Sequence, residues 1–511
     1  MAAGFLSRAT FGASDDAVDA AVGRSAVDIL RTEFAKPITP ALPPMEAIVR
    51  AGERVPQSAI NAHVWNAFIS GDDQLRQRVV FALSQIVVAN DPQAPTMAYY
   101  YDVLQTHAFG NYRDLLRDVT YTPAMARWLT YLHNRKTIER EGNSPDENYA
   151  RELLQLFSIG TEMLEMDGTV VRGDDGAPIE TYTTDDIVGL ARVFTGLGRK
   201  SAGNFYHSDI DGEFRPLEID PRYHSELEKS FLGTTIPAGT PGEQSIDMAI
   251  DAVFAHPNVA PFISRQLIQR LTQSAPPPDY VRRVADAFET GLYTTSGGDV
   301  FGSGRRGDLE ATVAAILLDP QFFDSVPSTA REGKVREPVL QFVHWARAFE
   351  VADADAARER ELIANANNSD KLAQSPLESE SVFNFYRPGY IARGTATGEA
   401  GLTAPEFQIL HESHFVPSQN FFADYVFDQS FVSPGDPDGF TPDYGDEIAL
   451  AGDVPALVDH LDTYVLGGNL DAVSRARMVE TVSAIDAGDP ELRARVAVFM
   501  AVTSPAFVVD H

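Results

Sequence analysis

The chain has 511 residues, 44% of them hydrophobic and 22% charged, which is ordinary for a soluble globular protein large enough for one elaborated core or several domains. Its charge is not ordinary: 41 Lys and Arg against 73 Asp and Glu give a net charge of −32, with only six Lys. Such a surface repels phosphate backbones and anionic lipid, which argues against nucleic acid and membrane-surface partners, and the absence of Cys rules out disulfides and thiolate metal sites.

Self-repulsion on this scale is screened by salt or bound cations, so a saline or cation-rich setting is expected. The first residues, MAAGFLSRATFG, show neither a basic n-region nor an apolar h-region. Either the protein is cytoplasmic or its targeting segment lies outside this chain. LRQRVVFALSQIVVA (75–89) carries the longest apolar run. It is shorter than the ~18 residues of a membrane span and is interrupted by Ser84 and Gln85, so a core helix is expected.

Helical periodicity continues through YRDLLRDVTY (112–121) and PAMARWLTYLH (123–133). The next segment, SPDENYARELLQLFSIG (144–160), spells a helix with Ser144 as N-cap, Pro145 as first helical residue and Glu147 closing a capping box, stopped by Gly160. Tyr149, Ala150, Leu153, Leu154, Leu156 and Phe157 fall on its apolar face; Asn148, Arg151, Glu152, Gln155 and Ser158 fall on the polar one. Glu147 and Arg151 stand at i,i+4 in the favourable order. The simplest reading is a solvated face. If that face lines a cleft, Asn148, Arg151 and Glu152 are candidates for polar ligand binding or acid–base work.

DGTVVRGDDGAPIETYT (167–183) reads as a hairpin turning at Asp175-Gly176, and Thr184-Asp185-Asp186 opens a further helix. Residues 201–245 look irregular. Within them His207, Asp209, Asp211 and Glu213, joined by His224, are candidate ligands for a divalent cation such as calcium, with a solvated acidic loop as the alternative. Helices resume at SIDMAIDAVFAH, NVAPFISRQLIQRLTQ, YVRRVADAF, DLEATVAAILLD and REPVLQFVHWARAFE. GSGRRG (302–307) is formally G-x-G-x-x-G, but no convincing strand precedes it and Asp308 would repel a phosphate, so a loop is expected with Asp308 as N-cap. Thr122-Pro123, His256-Pro257, Asp319-Pro320 and Ser504-Pro505 mark junctions where Pro starts a new helix.

Residues 351–372 read as a polar helix and linker, and 385–448 as irregular, with an acidic loop at 435–447 as a second, weaker calcium candidate. HESH (411–414) is one residue short of the zinc pattern H-E-x-x-H. No nucleophile elbow, Walker loop or kinase set is present. The expected fold is mostly α: a helical core over 1–417 with the hairpin inserted, and an acidic loop with a helical extension over 418–511.

GFLSRATFG, HAFGNYRDLLRDVTYTPAM, PDENYARELLQLFSIG, YTTDDIVGLARVFTG, KSFLG, HPNVAPFISRQLIQRL, GDLEATVAAILLDPQF, KVREPV, QSP, FNFYRPGY, APEFQI and TSPAF, in that order, resemble the signatures of the bacterial domain-of-unknown-function 1800 family over nearly the whole chain. The resemblance implies a large helical protein, commonly exported to the periplasm or exterior and often encoded beside a sulfatase-like exported family. It carries no reaction and therefore no catalytic residues. The family's usual His-Asp before the Lys-x-Phe-Leu-Gly motif is here His224-Ser225, which weakens any site built on that pair. Two readings follow. One is a binding or accessory protein of the envelope, acting with a sulfatase-like partner or an extracellular polymer. The other is a metal-dependent, hydrolase-type enzyme using 205–228 beside the 148–152 face.

Overall fold

A computed structural model describes residues 2–199, 204–207, 210–320, 333–351, 372–427 and 442–510. The fold is mostly α, with four two-stranded antiparallel sheets among the described residues. At its centre lies the helix Gln74–Ser84, whose first ten residues are all buried, Arg76, Gln77 and Arg78 included. Helices Ala26–Ala35, Ser58–Ser70, Ala94–His107 and Val259–Leu271 pack around it. The apolar run ends as a helix at Ser84 and continues as buried turn, and no described helix is long and apolar enough to cross a membrane.

Buried charge needs partners in a low-dielectric interior, and the central helix finds them in carbonyl groups. Arg76 donates to the carbonyls of Gln105 and Lys36, and Arg78 to that of Arg270. Below them the KVREPV segment forms a polar seam. Lys334 pairs with Glu406 at 2.6 Å, and Ser274 Oγ donates to the same carboxylate at 2.9 Å. Glu337 Oε2 accepts from Gln85, Gln374 and Tyr386. The two-residue strand Lys334–Val335 pairs with Val509–Asp510 at the far end of the chain. The segments KVREPV, QSP, FNFYRPGY, APEFQI and TSPAF, scattered in sequence, therefore meet here.

Local start signals explain several helices. Thr122 and Ser504 cap the helices begun by Pro123 and Pro505, and Asp308 caps Leu309–Leu317 through Ala311 N. At His256-Pro257 the cap position falls to Asn258 instead, and the segment after Asp319-Pro320 lies outside the described residues. GSGRRG is a loop, and Asp308 Oδ2 accepts from Ser303 N and Oγ within it. A short strand, Val300–Phe301, does precede the loop, paired with Tyr293–Thr294. The Asp175-Gly176 turn is present, with Gly173 N donating to the Ala177 carbonyl; 161–165 adds a further pass to the expected hairpin.

Helix Glu412–Val426 spans residue 417 and packs on Pro490–Val502, which also gathers Gly445–Leu450, Val454–Tyr464 and Ala472–Ser483. The 352–371 segment and residues 435–441 of the acidic loop lie outside the described residues. Of the remaining loop acids, Glu447 meets His460 Nε2 at 2.9 Å. That hydrogen bond raises the His460 pKa, against the opposing effect of burial. A raised folded pKa stabilises fully below the unfolded value of about 6.5 and is lost as pH climbs through the folded one. Urea titrations of wild type and His460→Gln at stepped pH should therefore diverge most below about pH 6.5 and converge at higher pH. A pH-independent gap would contradict the pairing.

Candidate functional site

The SPDE segment does not start the helix. Residues 143–147 run as loop, the helix spans Asn148–Gln155, and Glu147 makes no capping hydrogen bond, so the expected capping box is not formed. The reason is a competing set of partners. Asp146 Oδ1 accepts from Asn148 N at 2.8 Å, its Oδ2 from Thr130 Oγ1 at 3.0 Å, and its own amide donates to Asn134 Oδ1 at 2.9 Å. Asp146 thus caps the helix and ties it to the 130–134 turn in one step. The Glu147–Arg151 pair does form, at 3.3 Å; both side chains are more than a third exposed, so it is worth under about 1 kcal/mol.

The polar face of this helix divides. Asn148 and Arg151 stay toward solvent, Asn148 Nδ2 reaching Thr130 Oγ1 at 3.5 Å. Glu152 turns inward: it is 6% exposed, and its Oε2 has no hydrogen-bond partner among the described residues. Burial raises its pKa, with the nearby Arg151 charge opposing the shift. Ser158 is fully buried and donates to the Leu153 carbonyl. The amides of Ile159 and Gly160 both reach the Leu154 carbonyl, and Gly160, at φ +71°, ends the turn under the Phe262 ring.

In front of the loop opens a polar cleft of about 520 Å³, lined by Thr130, His133, Asn134, Arg135, Asn143 and Asp146 among others. Its floor is held by backbone pairing: His133 N to the Leu197 carbonyl, Gly196 N to that of Asn134, and Lys136 N to that of Tyr223. Thr130 (φ +61°) and His133 (φ +65°) adopt the left-handed region, uncommon for residues other than glycine and recurrent at functional sites. The His133 ring sits 5.1 Å from Phe205 and 5.6 Å from Tyr206, and Phe205 stacks on Tyr223 at 4.3 Å. Tyr206 is 49% exposed. Burial lowers the His133 pKa, helped by Arg127 and His207. Periodicity extended a helix over 123–133, but it ends at Trp128, and the left-handed turns at Thr130 and His133 break the expected pattern; the aromatic wall comes from a segment about 70 residues away with no helical pattern.

The acidic/His segment is spread rather than gathered. His207 is exposed near His133. Glu213 faces Arg199 and stands 3.8 Å from Arg127. His224 is buried with Nδ1 2.9 Å from the Thr195 carbonyl, its Nε2 without a hydrogen-bond partner, and burial lowers its pKa. Asp209, and the side chain of Asp211, lie outside what is described. Among the described residues no three His, Asp or Glu side chains are grouped as for a metal ion.

No curated protein and no solved structure matches the chain. A family model described as "Protein of unknown function (DUF1800)" matches residues 4–509, the same span over which the signature segments fold around the central helix, the polar seam and the cleft, and the protein belongs to that family.

Proposed function

We propose that the protein is an exported binding or accessory protein of the bacterial cell envelope or exterior, and that the 130–147 cleft takes a segment of a neutral, hydroxyl-rich polymer. The observation that carries this reading is the pairing of a fixed polar cleft with the half-exposed Tyr206 ring beside His133 at its edge. Amide, imidazole and guanidinium groups exchange hydrogen bonds with hydroxyls, while an aromatic face covers the apolar side of a sugar ring. The net charge of −32 disfavours a polyanion, so a polymer processed by a sulfatase-like partner fits better after its sulfates are gone. Export and such a partner rest on the family resemblance.

Native gels cast with neutral polysaccharides test it. Wild type should be retarded by at least one of them, and Tyr206→Ala should weaken that retardation by about tenfold, the weight of one stacking contact (~1.4 kcal/mol), at unchanged melting temperature. Migration unaffected by every neutral polymer would remove the reading.

A further inference from the structure

A cavity of about 570 Å³, within the range of small-molecule sites, opens between residues 6–17, 69–74 and 346–351 and shares no lining residue with the 130–147 cleft. Arg347, half-buried on helix Pro338–Ala348, lines it. Its Nε donates to the Gly12 carbonyl at 2.8 Å and its Nη1 to the Ile69 carbonyl at 2.6 Å. Gly12, at φ +131°, lies where a Cβ would stand 2.6 Å from the His344 ring, so a glycine is what brings that carbonyl in. A guanidinium has five N–H donors, and these two bonds leave its outer end open. Nη2 has no hydrogen-bond partner among the described residues and is not one of the side-chain atoms shut off from solvent.

The charges around it do not meet one another. No acid pairs with Arg347 among the described residues, and burial pulls its pKa down to about 10, with Glu33 the opposing charge. Glu33 itself is taken by Lys36, whose Nζ stands 2.5 Å from it and also donates to the Asp72 carbonyl at 2.6 Å. Asp16, Asp72 and Glu350 line the same cavity as exposed carboxylates, with neither hydrogen bond nor ion pair to their side chains among the described residues. Glu350, three residues on from Arg347, takes φ +45° past the helix end and does not close the pair.

We propose that this cavity binds a free α-amino acid with an aliphatic side chain, its carboxylate on Arg347 and its ammonium among the rim carboxylates, independently of what the 130–147 cleft takes. A plain anion would satisfy the guanidinium but face three acids, and a plain cation would face the guanidinium. A zwitterion answers both. A carboxylate matches the planar fork, using Nη2 and the remaining Nη1 N–H. The apolar part of the lining, Leu6, Ile69 and Val351 among it, is aliphatic and selects the side chain.

The test is isothermal titration calorimetry on the full chain with L-alanine, L-valine and L-leucine, each compared with its N-acetyl and methyl-ester forms, and with acetate. At least one free amino acid should bind, and capping either of its charged ends should weaken affinity about tenfold or more. Arg347→Lys keeps the charge, loses the fork and should cost a similar factor. The exposed double variant Asp16→Asn/Glu350→Gln should cost about threefold at unchanged melting temperature, and Tyr206→Ala should change nothing. The comparison of capped forms needs no variant, so it holds whatever Arg347→Lys does to stability. Silence from every amino acid would overturn the assignment. So would equal binding of acetate or the N-acetyl forms, which marks a plain anion site, equal binding of the esters, or affinity untouched by both variants.

Discussion

Replacing Lys334 by Met should lower stability by about 3–5 kcal/mol, among the largest effects of any single substitution in this protein. Lys334 is 3% exposed and Glu406 1%. Among the described residues, their 2.6 Å contact is supplemented only by Ser274 Oγ on the carboxylate and the Gln269 carbonyl on the ammonium. Removing the cation leaves a carboxylate in the interior with one hydroxyl donor, and the cost is the desolvation of that charge rather than the worth of the pair. The double variant Lys334→Met/Glu406→Leu removes both charges and should recover most of the loss. Urea midpoints of the three proteins decide the matter. A single-variant loss below about 1 kcal/mol would mean that the pair is solvated.

Gly189→Ala is expected to be comparably severe, about 3 kcal/mol or more. Helix Thr184–Ala191 lies so close to strand Lys229–Phe231 that a Cβ at 189 would stand 1.8 Å from the Ser230 carbonyl oxygen. The obstacle is backbone and cannot rotate away. Asp186 Oδ1 also holds Leu232 N at 2.7 Å, which fixes the approach. Gly176→Ala is the control: nothing lies within 4 Å there, and only its φ of +78° resists, worth about 1 kcal/mol. Thermal melts of both variants should separate clearly. Because the residues after this helix pair with the floor of the cleft, Gly189→Ala should weaken polymer retardation as well.

The fold class was legible because helical periodicity is a local property, and caps such as Asp308 and Thr122 act within one turn. The helix start at SPDE was misread for an equally physical reason: Asp146 is claimed by Thr130 and Asn134, 12 or more residues upstream, and no local pattern encodes that claim. Glu152 shows the same limit. Its angular position belongs to the polar face, yet its side chain is buried. The polar seam was least legible of all. Lys334 and Glu406 are 72 residues apart, and charged residues read in isolation are assigned to the surface. The signature segments identified the family without indicating that several of them converge on one buried place.

The pairing of Lys334–Val335 with Val509–Asp510 has a consequence in the order of synthesis. Arg336 finds the Phe507 carbonyl 171 residues later in the chain. At translation rates of about 5–20 residues per second, that strand waits roughly 10–35 s for its partner. During that interval Lys334 and Arg336 sit at an unpaired edge, while the central helix and its neighbours have already left the ribosome. The Val509–Asp510 strand therefore cannot dock until that stretch has been made, and a ribosome stalled before residue 509 would hold a chain in which Lys334–Val335 still lacks its partner strand.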